Sequence, residues 1–153
     1  MSKLYFIVNT NAKTGNANQV WRQVHDFLRQ KHIPYEAYET KYVGHATVLA
    51  RELSKKRETA VDLIAVGGDG TVNEVLNGIT DFEKVRLGVI ASGSGNDFEK
   101  GMGIPTDPIV CMRQILKCIR REKHGIPIKK TDLGQVTWGN GKKHRIFGIS
   151  AGI

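Results

Sequence analysis

VGGDGTVNEVLNGI, Val66 to Ile79, is the stretch that decides the fold. It follows a run, Val61 to Val66, that is apolar and partly β-branched apart from Asp62, as expected of a central parallel strand covered on both faces. Gly67, Gly68 and Gly70 permit positive φ and leave no side chain in the way, so backbone N–H groups can approach an anionic ligand closely. Thr71 and Glu74 have the T-x-x-E spacing of a capping box. That predicts a helix over Val72 to Gly78, whose free amides and positive dipole end favour phosphate. The competing explanation is an ordinary strand-to-helix turn with Asp69 as a local turn or cap residue.

Working outward, a second apolar strand from Arg86 to Ile90 runs into ASGSGNDFEKG, again glycines and hydroxyls after a parallel strand. In open α/β sheets, ligands bind at the carboxyl ends of the strands. Upstream, the pattern predicts strand Leu4 to Val8, helix Asn18 to Gln30, strand Tyr35 to Glu39 and helix His45 to Lys56. This βαβα order predicts a three-layer α/β domain, a parallel sheet with helices on both faces. Asp107 as cap and Pro108 at the first helical position announce a further helix. Its Ile109, Met112, Ile115, Leu116 and Ile119 form an apolar stripe read as core, with a membrane-lying helix as the alternative. The alternation then stops. Ile126 to Thr137 and Lys143 to Ile149 read as extended segments joined by a Gly139-Asn140-Gly141 hairpin turn.

The 153 residues, 40% of them hydrophobic, suit one sizeable core. No apolar run approaches the ~20 residues of a membrane span. Cys111 and Cys118 lie seven apart on the predicted helix, hence about 10 Å apart along its axis and too far to bridge, which reads as reduced thiols in a cytoplasmic protein. Against 15 acidic residues stand 23 Lys and Arg, a formal charge of +8 that suggests acidic partners. Basic clusters fall at Lys55 to Arg57, Arg120 to Lys123, Lys129 with Lys130, and Lys142 to Arg145. They read as solvated faces or as peripheral contacts with an anionic membrane surface. No finger, helix-turn-helix or aromatic-interleaved basic strand supports nucleic acid. There is no G-x-x-x-x-G-K-[ST] loop, GSGND lacks the third glycine of a dinucleotide fingerprint, and the five histidines have no zinc-site spacing.

GGDGTVNEVLNG followed one β-unit later by GSGNDF resembles the catalytic domain of diacylglycerol kinases and related lipid kinases. NTNAKTG, Asn9 to Gly15, is similar to that family's first nucleotide loop, with Thr10 in place of proline and Lys13 in place of glycine. Trp21, Thr40 and the GHA of Gly44 to Ala46 also match, while Ala91 and Ser94 stand where proline and threonine are usual. The resemblance implies an NAD kinase/diacylglycerol kinase-like fold, with an ATP-binding domain over residues 1–125. It also implies the beginning of a second, mainly antiparallel β domain over residues 126–153, opening near Asp132, in a protein about twice as long.

By that resemblance, Asn9, Thr40, Gly67, Gly68, Gly70, Thr71, Glu74, Gly93, Ser94, Gly95 and Asn96 are nucleotide-site candidates. Asp69 would act with Mg²⁺, and Asp97 would orient the second loop, contact substrate or cap the following helix. The implied reaction is transfer of the γ-phosphoryl of ATP to a lipid alcohol such as diacylglycerol, with the general base in the second domain. NAD kinase-like chemistry, or a nucleotide-binding module that transfers nothing, are the competing readings, and a homodimer is compatible with the sequence.

Overall fold

The computed structural model describes residues 3–11, 16–55, 60–92, 96–123 and 133–147. Four parallel strands, β1 (Leu4–Val8), β2 (Tyr35–Glu39), β3 (Val61–Gly67) and β4 (Val85–Ala91), form one sheet in the order β2-β1-β3-β4. All five residues of β1 and all seven of β3 are buried. Burial on both faces explains why these central strands read as continuous apolar runs rather than alternating ones. β2, at one edge, is only partly covered.

The connections put helices on both faces. α1 (Asn16–Gln30) and α5 (Pro108–Lys123) lie on one side, where Val24, Phe27, Leu28, Met112, Leu116 and Ile119 pack against Leu4, Phe6, Val8, Ile64, Val66 and Ile90. The stripe predicted on α5 is therefore core, and its membrane-lying alternative is set aside. On the other side α2 (His45–Lys55) and α3 (Asp69–Gly78) cover Tyr5, Ile7, Leu63 and Ala65. These two helices approach very closely: a Cβ on Gly78 would collide with the Thr47 carbonyl and stand 2.7 Å from Ala50 Cβ.

α5 begins as its sequence predicts. Asp107 Oδ1 accepts the N–H groups of Ile109 and Val110, both at 2.9 Å, and Pro108 occupies the first helical position, where no N–H is needed. Cys111 is buried, with its thiol 3.1 Å from the Val89 carbonyl, whereas Cys118 is exposed. A short helix, α4 (Asp97–Met102), lies between β4 and α5, where the sequence offers Asp97 as a helix cap but sets no bounds for the helix. The last described segment is an antiparallel hairpin, β5 (Gly134–Trp138) with β6 (Lys143–Phe147), turning through Gly139, Asn140 and Gly141, all at positive φ. Leu133, just before it, packs with Val72, Leu76 and Val89. The remainder of the extended segment expected from Ile126, including Asp132 and the Lys129–Lys130 pair, lies outside the described residues.

A buried ion pair closes the amino end of the sheet. Asp62 on β3 and Arg86 on β4 are register partners, and the guanidinium meets the carboxylate twice, Nε to Oδ1 at 2.6 Å and Nη2 to Oδ2 at 2.8 Å. The Asp62 side chain is 2% exposed, so the one acidic residue in the apolar run of β3 is satisfied by a fork matched to both its oxygens.

Candidate functional site

β1 and β3 are neighbours, but the chain leaves β1 toward β2 on one side and β3 toward β4 on the other. Between them, at their carboxyl ends, lies the topological switch point where open α/β sheets bind ligands. Backbone hydrogen bonds continue the ladder past the strand ends and bring the four exits into one row. Thr40 N–H donates to Val8 O, Asn9 N–H to Val66 O and Ser92 N–H to Gly67 O, each at 2.9 Å.

At the switch point Asn9 and Thr71 meet directly: Asn9 Nδ2 donates to Thr71 Oγ1 at 3.0 Å. Asn9 Oδ1 accepts the Asn11 N–H at 3.0 Å, which accounts for both polar ends of that amide. Thr71 is 5% exposed and Thr40 7%. The need for glycine at position 67 follows from this packing, since a Cβ there would stand 2.5 Å from Thr71 Oγ1 and 2.6 Å from Thr71 Cβ. At Gly70 an added Cβ would meet nothing within 4 Å, leaving open space beside the first turn of α3.

Two expectations about this loop are corrected. The glycines do not work through positive φ: among the described residues the positive-φ glycines are Gly44, Gly103, Gly139 and Gly141, and Gly68 has φ −96° and ψ −169°. Thr71 and Glu74 also do not form a capping box. α3 begins at Asp69, Gly68 is its cap with no side-chain cap bond, and Val72 N–H donates to Gly68 O at 3.1 Å. Thr71 is thus inside the first turn. Glu74 faces sideways to the β2–α2 turn, where its Oε1 accepts the Gly44 N–H at 3.0 Å. The phosphate-favouring feature that remains is the N-terminus of α3, where the first amides of any helix lack intrahelical acceptors.

Asp69 is the first residue of that helix and is half-buried. An acidic side chain here complements the positive helix end when no ligand is bound. Among the described residues no three His, Cys, Asp or Glu side chains come together as a metal cage.

The second loop is described only at its ends. Gly93, Ser94 and Gly95 lie outside the described residues, as do Lys13 and the rest of positions 12–15. Asn96 is half-buried, adopts left-handed φ +54°, and its carbonyl accepts the Lys100 N–H at 3.0 Å. An asparagine tolerates that conformation better than most residues. Asp97 begins α4 rather than preceding it, so the expected capping position falls to Asn96.

Ser92 is a residue that sequence reasoning passed over. It is 4% exposed, and among the described residues its Oγ is the buried side-chain polar atom with no hydrogen-bond partner. With Ala91, Asn96, Gln19, Gln23 and Thr106 it lines a cavity of about 300 Å³ beside the strand exits. Its signal in the sequence was a hydroxyl immediately after β4, overshadowed by the glycines that follow. A mainly apolar cavity of about 230 Å³ lies between β4, α5 and Met102–Pro105, away from the strand exits. The predicted basic clusters are described only in part, with Lys55, Arg120, Arg121, Lys142 and Lys143 all exposed.

A parallel sheet of this order, with helices on both faces and a glycine loop and helix start at its switch point, is a doubly wound α/β architecture. The model of the diacylglycerol kinase catalytic domain matches residues 3–127, and the chain belongs to that family. It is 32% identical over 149 residues to the Bacillus subtilis protein named "Putative lipid kinase YtlR", covering 96% of this chain and 46% of that protein. A diacylglycerol kinase of Staphylococcus saprophyticus is 47% identical over 73 residues, 46% of this chain and 23% of its own length. Among solved structures, a diacylglycerol kinase from Bacillus anthracis superposes with a TM-score of 0.61 at 29% identity, covering 78% of this chain and 43% of that one. The chain thus spans less than half the length of these relatives.

Proposed function

We propose that this chain is the amino-terminal nucleotide-binding part of a lipid kinase that transfers the γ-phosphoryl of ATP to a lipid hydroxyl, with diacylglycerol as acceptor and phosphatidic acid as product. The observation that carries this reading is the convergence of Asn9, Gly67, Gly68 and Thr71 at the β1/β3 switch point, in a chain of the diacylglycerol kinase family. The N-terminal end of α3 would hold phosphate oxygens, with Asn9, Thr40, Thr71, Glu74 and Asn96 lining or supporting the nucleotide site. Gly93, Ser94 and Gly95 join the proposed set on sequence alone, and Asp97 with them.

Mg²⁺ fits this donor set, because that ion is commonly held by one or two carboxylates together with substrate phosphates and retained waters, and needs no protein cage. Asp69 would be its protein ligand, directly or through water. Bound there, the ion would neutralise charge on the phosphates. Phosphoryl transfer is dominated by positioning and electrostatics, to which the hydrogen-bonded row of strand exits would contribute. The hairpin from Gly134 to Phe147 would belong to a second, β-rich domain that contributes the acceptor pocket and the general base. Contact with an anionic membrane and a cytoplasmic location complete the proposal.

The test is ATP- and Mg²⁺-dependent phosphorylation of a mixed lipid panel by the longer protein, beside this chain and an Asp69→Ala variant. Phosphatidic acid formed by the longer protein and lost in the variant supports the proposal. Formation of NADP, or nucleotide binding with no transfer, overturns it.

A further inference from the structure

We infer that the β2–α2 turn, with Tyr42 and Val43 at its apex, is a preformed tip that enters the headgroup region of an anionic bilayer. The inference rests on the reading of the acceptor as a membrane lipid. Val43 is 95% exposed and Tyr42 58%, an adjacent apolar pair on the edge of the sheet that carries the candidate site. One exposed valine would need no explanation. Here the surrounding backbone is fixed so as to project it.

Gly44 takes φ +92°, which a side-chain-bearing residue adopts only with strain. Its N–H donates to Glu74 Oε1 at 3.0 Å, and Thr47 Oγ1 donates to the Glu74 carbonyl at 2.8 Å. On the other side of the apex, Lys41 N–H donates to His45 Nδ1 at 3.0 Å. That bond makes Nδ1 an acceptor and so places the imidazole proton on Nε2. The Tyr42 ring stacks on that imidazole with centroids 4.5 Å apart and planes 16° apart. The turn therefore presents a tyrosine, a β-branched aliphatic residue and, at its base, the exposed ammonium of Lys41, without having to order itself on contact.

This chemistry fits a bilayer interface. Tyrosine concentrates at the boundary between hydrocarbon and water, where its ring is buried and its hydroxyl stays wet. Valine gains by leaving water, and a lysine beside them favours anionic headgroups, as does the formal charge of +8. Glu74 ties the turn to α3, so a tip seated in the bilayer would hold the start of α3, including Asp69, close to the surface where a lipid acceptor is found.

The experiment introduces tryptophan at position 43, with Phe82→Trp as the control. Phe82 is 43% exposed in the α3–β4 turn, at the opposite end of the sheet. Both variants of the 153-residue chain are mixed with phosphatidylcholine vesicles, with or without phosphatidylglycerol, and emission is read as the difference from the parent, which has its own Trp21 and Trp138. On phosphatidylglycerol-containing vesicles the Val43→Trp indole is expected to shift to shorter wavelength. Brominated acyl chains should reduce its emission about twofold, while the control is unaffected. Tyr42→Ser with Val43→Asp is expected to weaken vesicle partitioning about tenfold without moving the melting curve. Quenching of both indoles alike would mean unoriented adsorption and overturn the inference. So would a Val43→Trp signal that responds to MgATP but not to vesicles, which would give the tip to the nucleotide site. Because the readout is emission, its failure is separable from failure of the kinase proposal. An inserted tip with no lipid phosphorylated would leave this inference standing alone, and phosphorylation without insertion would remove it alone.

Discussion

The two ends of β3 each carry an aspartate, and their surroundings differ. Asp62, near the start of the strand, is buried and gripped by the Arg86 fork. Asp69, just past the end, is half-buried at the first position of α3, beside space that an extra Cβ at Gly70 would not fill. The difference teaches that a carboxylate's surroundings follow from which end of a parallel strand it occupies. At the amino end the helices and neighbouring strand close over it, and at the carboxyl end the chain opens into loops and a helix N-terminus that favour anions.

The sharpest way to break the comparison is to remove one partner of the buried pair. Asp62→Ala leaves the Arg86 guanidinium without its main partner and is expected to cost about 3–5 kcal/mol of stability, read by urea unfolding at neutral pH. A loss below about 1 kcal/mol would show that the Asp62 contact contributes little at this end and would erase the contrast. Gly67→Ala comes next, because the added methyl meets the base of the Thr71 side chain: about 1–3 kcal/mol, with weaker nucleotide binding by calorimetry as Thr71 and Asn9 shift. Asp107→Ala, which removes a helix cap and touches neither aspartate, should cost about 1 kcal/mol and leave nucleotide affinity unchanged. Smallest in stability is Asp69→Ala, within about 1 kcal/mol of the parent in the same unfolding experiment. Yet it should abolish the Mg²⁺-dependent part of nucleotide binding. If Asp69→Ala unfolds the protein as Asp62→Ala does, the two aspartates are both structural and the assignment of Asp69 fails.

Much of this was legible because the central strands are fully covered, and covering imposes a simple pattern. β1 and β2 fall at the predicted residues, Leu4–Val8 and Tyr35–Glu39, and β3 runs one residue beyond the apolar run of Val61 to Val66. The Asp107-Pro108 start of α5 was legible for a different reason, since a cap is a local interaction between near neighbours in the chain. What escaped was non-local. The Asp62–Arg86 pair spans 24 positions and depends on strand register, so Asp62 stood out only as an exception in an apolar run. Thr71 and Glu74 had the spacing of a cap, but Gly68 took that position and the two side chains were claimed by Asn9 and Gly44, both on other elements. The extent of α4 escaped because DFEKGM is too short and polar to show a helical period, although Asp97 offers a cap for a helix there. Ser92 escaped because an unsatisfied hydroxyl is a property of its surroundings.

The fit of Gly67 against Thr71 and of Gly78 against Thr47 and Ala50 also bears on how this sequence can drift. Every amino-acid change at a glycine adds a Cβ, so neither codon has a replacement step that avoids the collision. Gly70, in the same motif, is free of that constraint and can vary as far as its ligand allows. Within one glycine-rich motif, then, Gly67 and Gly78 are frozen by steric fit, and any restriction on Gly70 would have to come from selection on binding.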